Sequence, residues 1–210
     1  MVKFKKKSLS GSSKRWIQRH YNDSLVIKAK KEGFRSRAVF KLEEVNKKIN
    51  FLKTNQNIID LGSAPGSWSQ YLSKKGFKNI LAVDIIKMEP IKKVEFIHGN
   101  FLDEVIQKKI LDFFKGKTDL IVSDMAENTT GNKNIDSIRT NNLCAELINF
   151  SLSFLKPNGV LVSKLFMGED FILVKDLAKK NFKKVEFFKP ESSRSESKET
   201  YIYCSDLKPL

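Results

Sequence analysis

The chain has 210 residues, 40% of them hydrophobic and 30% charged, with 39 Lys and Arg against 24 Asp and Glu for a formal net charge of +15. That length suits one domain with a substantial core, and the composition excludes a disordered chain. No apolar run approaches the ~18 residues of a membrane span, the basic N-terminus lacks the apolar segment of a secretory signal, and the two cysteines, Cys144 and Cys204, have no metal-ligand spacing. These features lead us to expect a cytoplasmic protein without a metal centre, whose thiols pack as small apolar side chains.

The charge is uneven. Residues 1–41 hold 13 Lys and Arg against only Asp23 and Glu32, whereas the other 169 residues hold 26 against 22. With Trp16, Tyr21 and Phe34 interleaved, the block reads as a footprint for nucleic-acid phosphates. For Lys3–Lys14 alone a solvated basic tail fits equally well. The expected organisation is a basic tail over residues 1–27 and a single domain over residues 28–210.

The first predicted element is a helix over Ser36–Asn50, with Ala38, Leu42, Val45 and Ile49 on one stripe. Lys41 lies about 60° from the centre of that stripe, at the margin of the buried face. Strand patterns follow at Asn57–Leu61, Ile80–Asp84, Val94–Ile97, Leu120–Ser123 and Val160–Leu165. Helical patterns lie between them at Ser67–Lys75, Asp103–Lys115, Ile138–Leu155 and Glu169–Lys180. This alternation implies right-handed βαβ units and a parallel sheet with helices on both faces. Lys183–Lys189 and Thr200–Cys204 break it, since a polar loop without a helix permits only an antiparallel hairpin.

The first strand ends in Asp60-Leu61-Gly62 and turns through Ser63-Ala64-Pro65-Gly66 into a helix N-terminus, the place where open α/β sheets bind nucleotide-like ligands. Gly62 and Gly66 allow a close backbone approach. Asp84 closes the second strand 22 residues later, where an acid commonly receives a ribose hydroxyl pair. The G-x-x-x-G spacing lacks the third glycine of dinucleotide enzymes, with Trp68 and Ser69 in its place, so a dinucleotide reductase is disfavoured. Asn100, after the third strand, stands where an acid would accept from an adenine amino group, and its amide oxygen can accept the same bond.

Asp124 ends the fourth strand, Lys164 lies near the end of the fifth, and Glu199 begins the last. A lysine in a buried strand is costly unless something needs it. If the last strand runs antiparallel and inserts beside the fifth, all three residues share the ligand-binding edge with Lys41.

A mostly parallel sheet closed by an antiparallel hairpin resembles the class I S-adenosylmethionine-dependent methyltransferases, with a Rossmann-like α/β fold and strand order 3-2-1-4-5-7-6. Phe34–Leu42, Asp60–Tyr71, Ser123–Ala126, Lys164 and Lys189–Arg194 resemble the FtsJ/RrmJ family of ribose 2′-O-methyltransferases. The likeness runs from about Val26 to Cys204. It implies a catalytic Lys-Asp-Lys-Glu set at Lys41, Asp124, Lys164 and Glu199. It also implies S-adenosylmethionine held by Gly66, Trp68, Asp84, Asn100 and Asp124, to which the turn adds Gly62. Asn100 stands where the family usually has Asp, and Glu127 where it usually has Pro. The implied substrate is RNA, a uridine ribose in the A-loop of 23S rRNA within the assembled large subunit, methylated by a monomer. A tRNA target or a non-catalytic RNA-binding module on the same fold are the alternatives.

Overall fold

A period-two alternation of apolar side chains along the strands builds a sheet with a core on each face. Ile59, Leu61, Leu81, Val83, Ile121, Leu161, Leu165, Ile202 and Cys204 face one way, and Ile58, Ile80, Leu120, Val122, Val162, Tyr201 and Tyr203 face the other. The computed structural model describes residues 22–127, 130–168 and 170–209. Most of the expected basic tail, with Trp16 and Tyr21, therefore lies outside the described residues.

The elements in order are α1 (Ser24–Lys31), α2 (Val39–Ile49), β1 (Asn57–Leu61), α3 (Ser67–Lys74), β2 (Asn79–Asp84), β3 (Val94–His98) and α4 (Glu104–Phe114). They continue with β4 (Thr118–Ser123), α5 (Lys133–Phe154), β5 (Leu155–Phe166), α6 (Phe171–Asn181), β6 (Phe182–Phe188) and β7 (Glu199–Leu207). The sheet order is β3-β2-β1-β4-β5-β7-β6, as the sequence led us to expect. The first five strands are parallel, and β7 runs antiparallel to both neighbours. Helices α2 and α3 cover one face, while α4, α5 and α6 cover the other. Both cysteines sit in the core as free thiols, and burial pushes Cys144 up to about 12. Among the described residues no helix is long and apolar enough to cross a membrane.

Three local differences from the sequence reading have physical causes. The boundary expected after residue 27 falls inside α1, which Asp23 caps by accepting from the N–H groups of Leu25 (3.0 Å) and Val26 (3.4 Å). Helix α5 begins five residues before the expected Ile138, because the Asn132 side chain caps it through Asn134 and Ile135. Strand β5 begins at Leu155, ahead of the expected Val160. Thr118 pairs with Leu155 and Leu120 with Val160, so Lys156-Pro157-Asn158-Gly159 bulges out of register where proline has no N–H to give the ladder.

Candidate active site

The turn after β1 is held to its neighbours by the backbone. The N–H groups of Gly62 and Ser63 both donate to Val83 O, at 2.9 and 3.3 Å. Gly62 (φ 69°) and Gly66 (φ 105°) are left-handed. A Cβ on Gly62 would stand 1.8 Å from Met125 Cγ, and one on Gly66 would stand 2.6 Å from Ile91 Cδ1. Neither conformation nor space admits a side chain there. Asp84 ties this turn to its own loop, accepting from Ala64 N at 2.8 Å and from Ile86 N at 2.7 Å. Each of its oxygens keeps further acceptor capacity.

Arg35 clamps the same turn from outside. Its guanidinium donates to the carbonyls of Pro65 (2.8 Å), Glu89 (2.8 Å) and Pro90 (2.9 Å), joining the glycine turn to the β2–β3 loop. Arg37 is likewise committed, to the Asp23 carboxylate and to Ser192 O. Two of the cations counted in the basic N-terminal block thus serve loop carbonyls, which have no secondary-structure partner of their own, and the acid that caps α1.

Trp68 is buried, and its indole N–H donates to Ala38 O at 2.7 Å, so the ring pins α3 to the start of α2. With its side chain committed there, Trp68 has its backbone N–H in the first turn of α3, among the amides that lack intrahelical acceptors. The Asn100 amide oxygen accepts from Leu102 N at 3.1 Å and closes the turn after β3, with one lone pair remaining.

Under the turn lies Asp60, an acid the sequence reading left without a role. It is fully buried and accepts from the Ser69 hydroxyl at 2.6 Å. Burial pushes its carboxyl from an ordinary 3.8 up to about 7, against the bonds from Ser69. A carboxyl that holds its proton more tightly when folded stabilises fully below about pH 3.8, and this contribution is lost as pH rises through 7. Asp60→Asn is neutral throughout, so its melting temperature relative to the wild type is expected to climb between about pH 4 and 7 and to level off above. A difference independent of pH in thermal melts would show that Asp60 does not titrate there.

The structure brings Lys41, Asp124, Lys164 and Glu199 together. All four approach from the α2–α3 face: Asp124 shares the parity of Val122 on β4, Lys164 that of Val162 on β5, and Glu199 that of Tyr201 on β7. Lys41 comes from the first turn of α2. Antiparallel pairing sets Lys164 opposite Tyr201 and Phe166 opposite Glu199, so the beginning of β7 lies beside the end of β5. Lys164 Nζ is 3.2 Å from Asp124 Oδ1 and donates to Asp124 O at 2.5 Å. Lys41 Nζ is 2.8 Å from Glu199 Oε2 and 3.7 Å from Asp124 Oδ2. Their side chains are 8–19% exposed, so the charges act through poorly screened surroundings.

Electrostatics distinguishes the members. Burial pulls the Lys41 pKa down, but Asp124 and then Glu199 outweigh it, and the pKa lies above its ordinary value. Burial pushes Asp124 up, yet Lys164, Lys41 and the Tyr201 hydrogen bond hold it below the usual carboxylate value. Lys41 and Asp124 are therefore a fixed cation and a fixed anion.

Two more side chains complete the arrangement. The Tyr201 hydroxyl donates to Asp124 Oδ1, and burial, with the charges of Asp124 and Glu199, keeps that phenol protonated. Ser193 donates to Glu199 Oε1 at 2.7 Å. Tyr201 was within reach of sequence reasoning, since it lies two residues beyond Glu199 and so on the same strand face. Ser193 carries no periodic signal, because a loop delivers it.

A glycine turn strapped by an acid, a helix N-terminus beside it, and an acid–lysine cluster at the same sheet edge define a methyltransferase of the class I fold. A family model for FtsJ-like methyltransferase matches residues 34–207, and this chain belongs to that family. Among curated relatives, the ribosomal RNA large subunit methyltransferase E of Pelagibacter ubique is 45% identical over 199 residues, covering 93% of this chain and 97% of that protein. The protein of the same name from Rickettsia akari is 45% identical over 206 residues, covering 94% and 90%. A solved structure from Plasmodium falciparum, assigned as a ribosomal RNA methyltransferase, superposes with a TM-score of 0.74 at 32% identity, covering 83% of this chain and 98% of that one.

Proposed function

We propose that this chain transfers a methyl group from S-adenosylmethionine to a ribose 2′-hydroxyl of large-subunit rRNA, with a uridine of the 23S A-loop in the assembled subunit as target. The observation that carries the reading is the cluster of Lys41, Asp124, Lys164 and Glu199 at the sheet edge that also bears the Gly62–Gly66 turn. The names of the relatives support rRNA of the large subunit as the substrate. We read the protein as a cytoplasmic monomer.

The residues of the turn fit the cofactor by shape and by chemistry. Gly62 and Gly66, both left-handed, bring a stretch of backbone without bulky side chains to this edge. Asp84 offers lone pairs to a ribose diol, Asn100 its amide oxygen to an adenine amino group, and Asp124 and the backbone at Trp68 the remaining polar contacts. When bound, S-adenosylmethionine supplies an electrophilic sulfonium methyl group.

The protein's task is then to align the 2′-oxygen and manage its proton. Lys164 is the group assigned to that oxygen, as acceptor of its proton or as the cation beside the developing alkoxide. Asp124 aims the amine through its carboxylate and its main-chain carbonyl together. Lys41, whose pKa Asp124 and Glu199 raise, is assigned the role of fixing those two carboxylates rather than of taking the proton.

The test supplies radiolabelled S-adenosylmethionine to large subunits, free rRNA and tRNA from cells lacking the protein, then maps alkali-resistant linkages. Label in the large subunit at one alkali-resistant linkage is expected. Label in tRNA alone would move the substrate, and no label anywhere would leave an RNA-binding module.

A further inference from the structure

We propose that Ser193 is a positioning residue for this site: its hydroxyl fixes the Glu199 carboxylate in the orientation that holds Lys41 beside Asp124. The inference rests on the methyltransferase reading for its effect on catalysis, but not for its geometry.

Glu199 has two carboxylate oxygens and one strong side-chain donor for each. Oε1 accepts from Ser193 Oγ at 2.7 Å, and Oε2 accepts from Lys41 Nζ at 2.8 Å. Lys41 then stands 3.7 Å from Asp124, which in turn holds Lys164 at 3.2 Å. The order Ser193, Glu199, Lys41, Asp124, Lys164 is a continuous polar chain whose outer end is a neutral hydroxyl. Ser193 and Glu199 are each only 8% exposed, so water is a poor substitute for the serine. Without it, Oε1 would be a buried acceptor lacking its donor, and the carboxylate would be free to turn away from Lys41.

Ser193 is itself held firmly enough to act in this way. Its N–H donates to Pro190 O at 3.0 Å. The preceding Ser192 N lies 3.2 Å from both Glu44 carboxylate oxygens, and Ser192 O accepts from Arg37, which also engages Asp23. The loop is thus fastened to α2 and to the cap of α1 on either side of Lys41. A serine serving only the loop would bond the loop's own backbone; this one reaches out of it to a charged member of the cluster.

The test compares Ser193→Ala with Ser193→Thr, which keeps the hydroxyl. In Ser193→Ala, kcat is expected to fall about fivefold to twentyfold, with the KM for S-adenosylmethionine within about twofold. Acetylation of Lys41 by limiting acetic anhydride, read by mass spectrometry, should rise at least about threefold while exposed Lys28 is unchanged, and Ser193→Thr should restore both. Unchanged kcat and Lys41 labelling in a folded alanine variant overturns the proposal. So does equal failure of the threonine variant, or a rise in labelling that includes Lys28. If the wild type methylates no RNA, the functional reading fails, and Lys41 labelling still decides whether Ser193 positions Glu199.

Discussion

Lys164→Ala is expected to lower single-turnover methyl transfer by ~10³-fold or more, because the proposed function assigns to this group the 2′-oxygen and the stabilisation of its developing charge. Its affinity for S-adenosylmethionine, measured by titration calorimetry, should stay within about threefold, since the interaction lost belongs to the reacting oxygen. The variant should also fold well. Removing a buried cation leaves Asp124 with Lys41 at 3.7 Å and with the Tyr201 hydroxyl, so no charge in the cluster is abandoned. Wild-type turnover in this variant would take Lys164 out of the chemistry.

Asp124→Ala should be equally inactive but much less stable. Asp124 is the junction of the cluster, engaging Lys164, Lys41 and Tyr201 at once. Its loss leaves Lys164 poorly solvated and without its carboxylate, Lys41 with Glu199 alone, and a buried phenol without its acceptor. Breaking a buried pair in this way costs about 3–5 kcal/mol, which corresponds to roughly 6–20 °C in melting temperature for a chain of this size. The sign with pH is fixed by the depressed Asp124 pKa. Its stabilisation is present above the ordinary carboxylate value of 3.8 and is lost as pH falls through the lower folded value. The difference from the wild type should therefore be largest near neutrality and shrink in acid. Equal melting temperatures for the Lys164 and Asp124 variants would contradict the arrangement in which Asp124 carries the network.

Much of this site could be read before the fold was seen, and the reason is topological. Strand ends are well marked in sequence, and β1 spans Asn57–Leu61 as its β-branched run suggests. Once the connection between β6 and β7 is too short for a parallel crossover, the order of strands brings Asp124, Lys164 and Glu199 to one edge. What escaped lies where periodicity says nothing. Helix α1 is only eight residues long with Ala29 its one buried residue, so its cap at Asp23 was the sole strong signal. Arg35 and Arg37 looked like surface charge, because nothing in their spacing reveals the carbonyls and the acid they serve. Asp60 stands in an ordinary strand motif, and its perturbed carboxyl comes from the helix packed over it.

The reversed direction of β7 has a practical consequence for handling the protein. The strand starts at Glu199 in the cluster and runs away from it, so Leu207 lies eight residues off, about 27 Å at ~3.4 Å per residue. A fluorophore or an immobilising linker attached beyond Leu207 would emerge at the opposite rim of the sheet. Such a fusion leaves the edge bearing the cluster open to a bulky RNA substrate, whereas a graft near Asp23 would crowd the Arg37 and Ser192 fastening beside it.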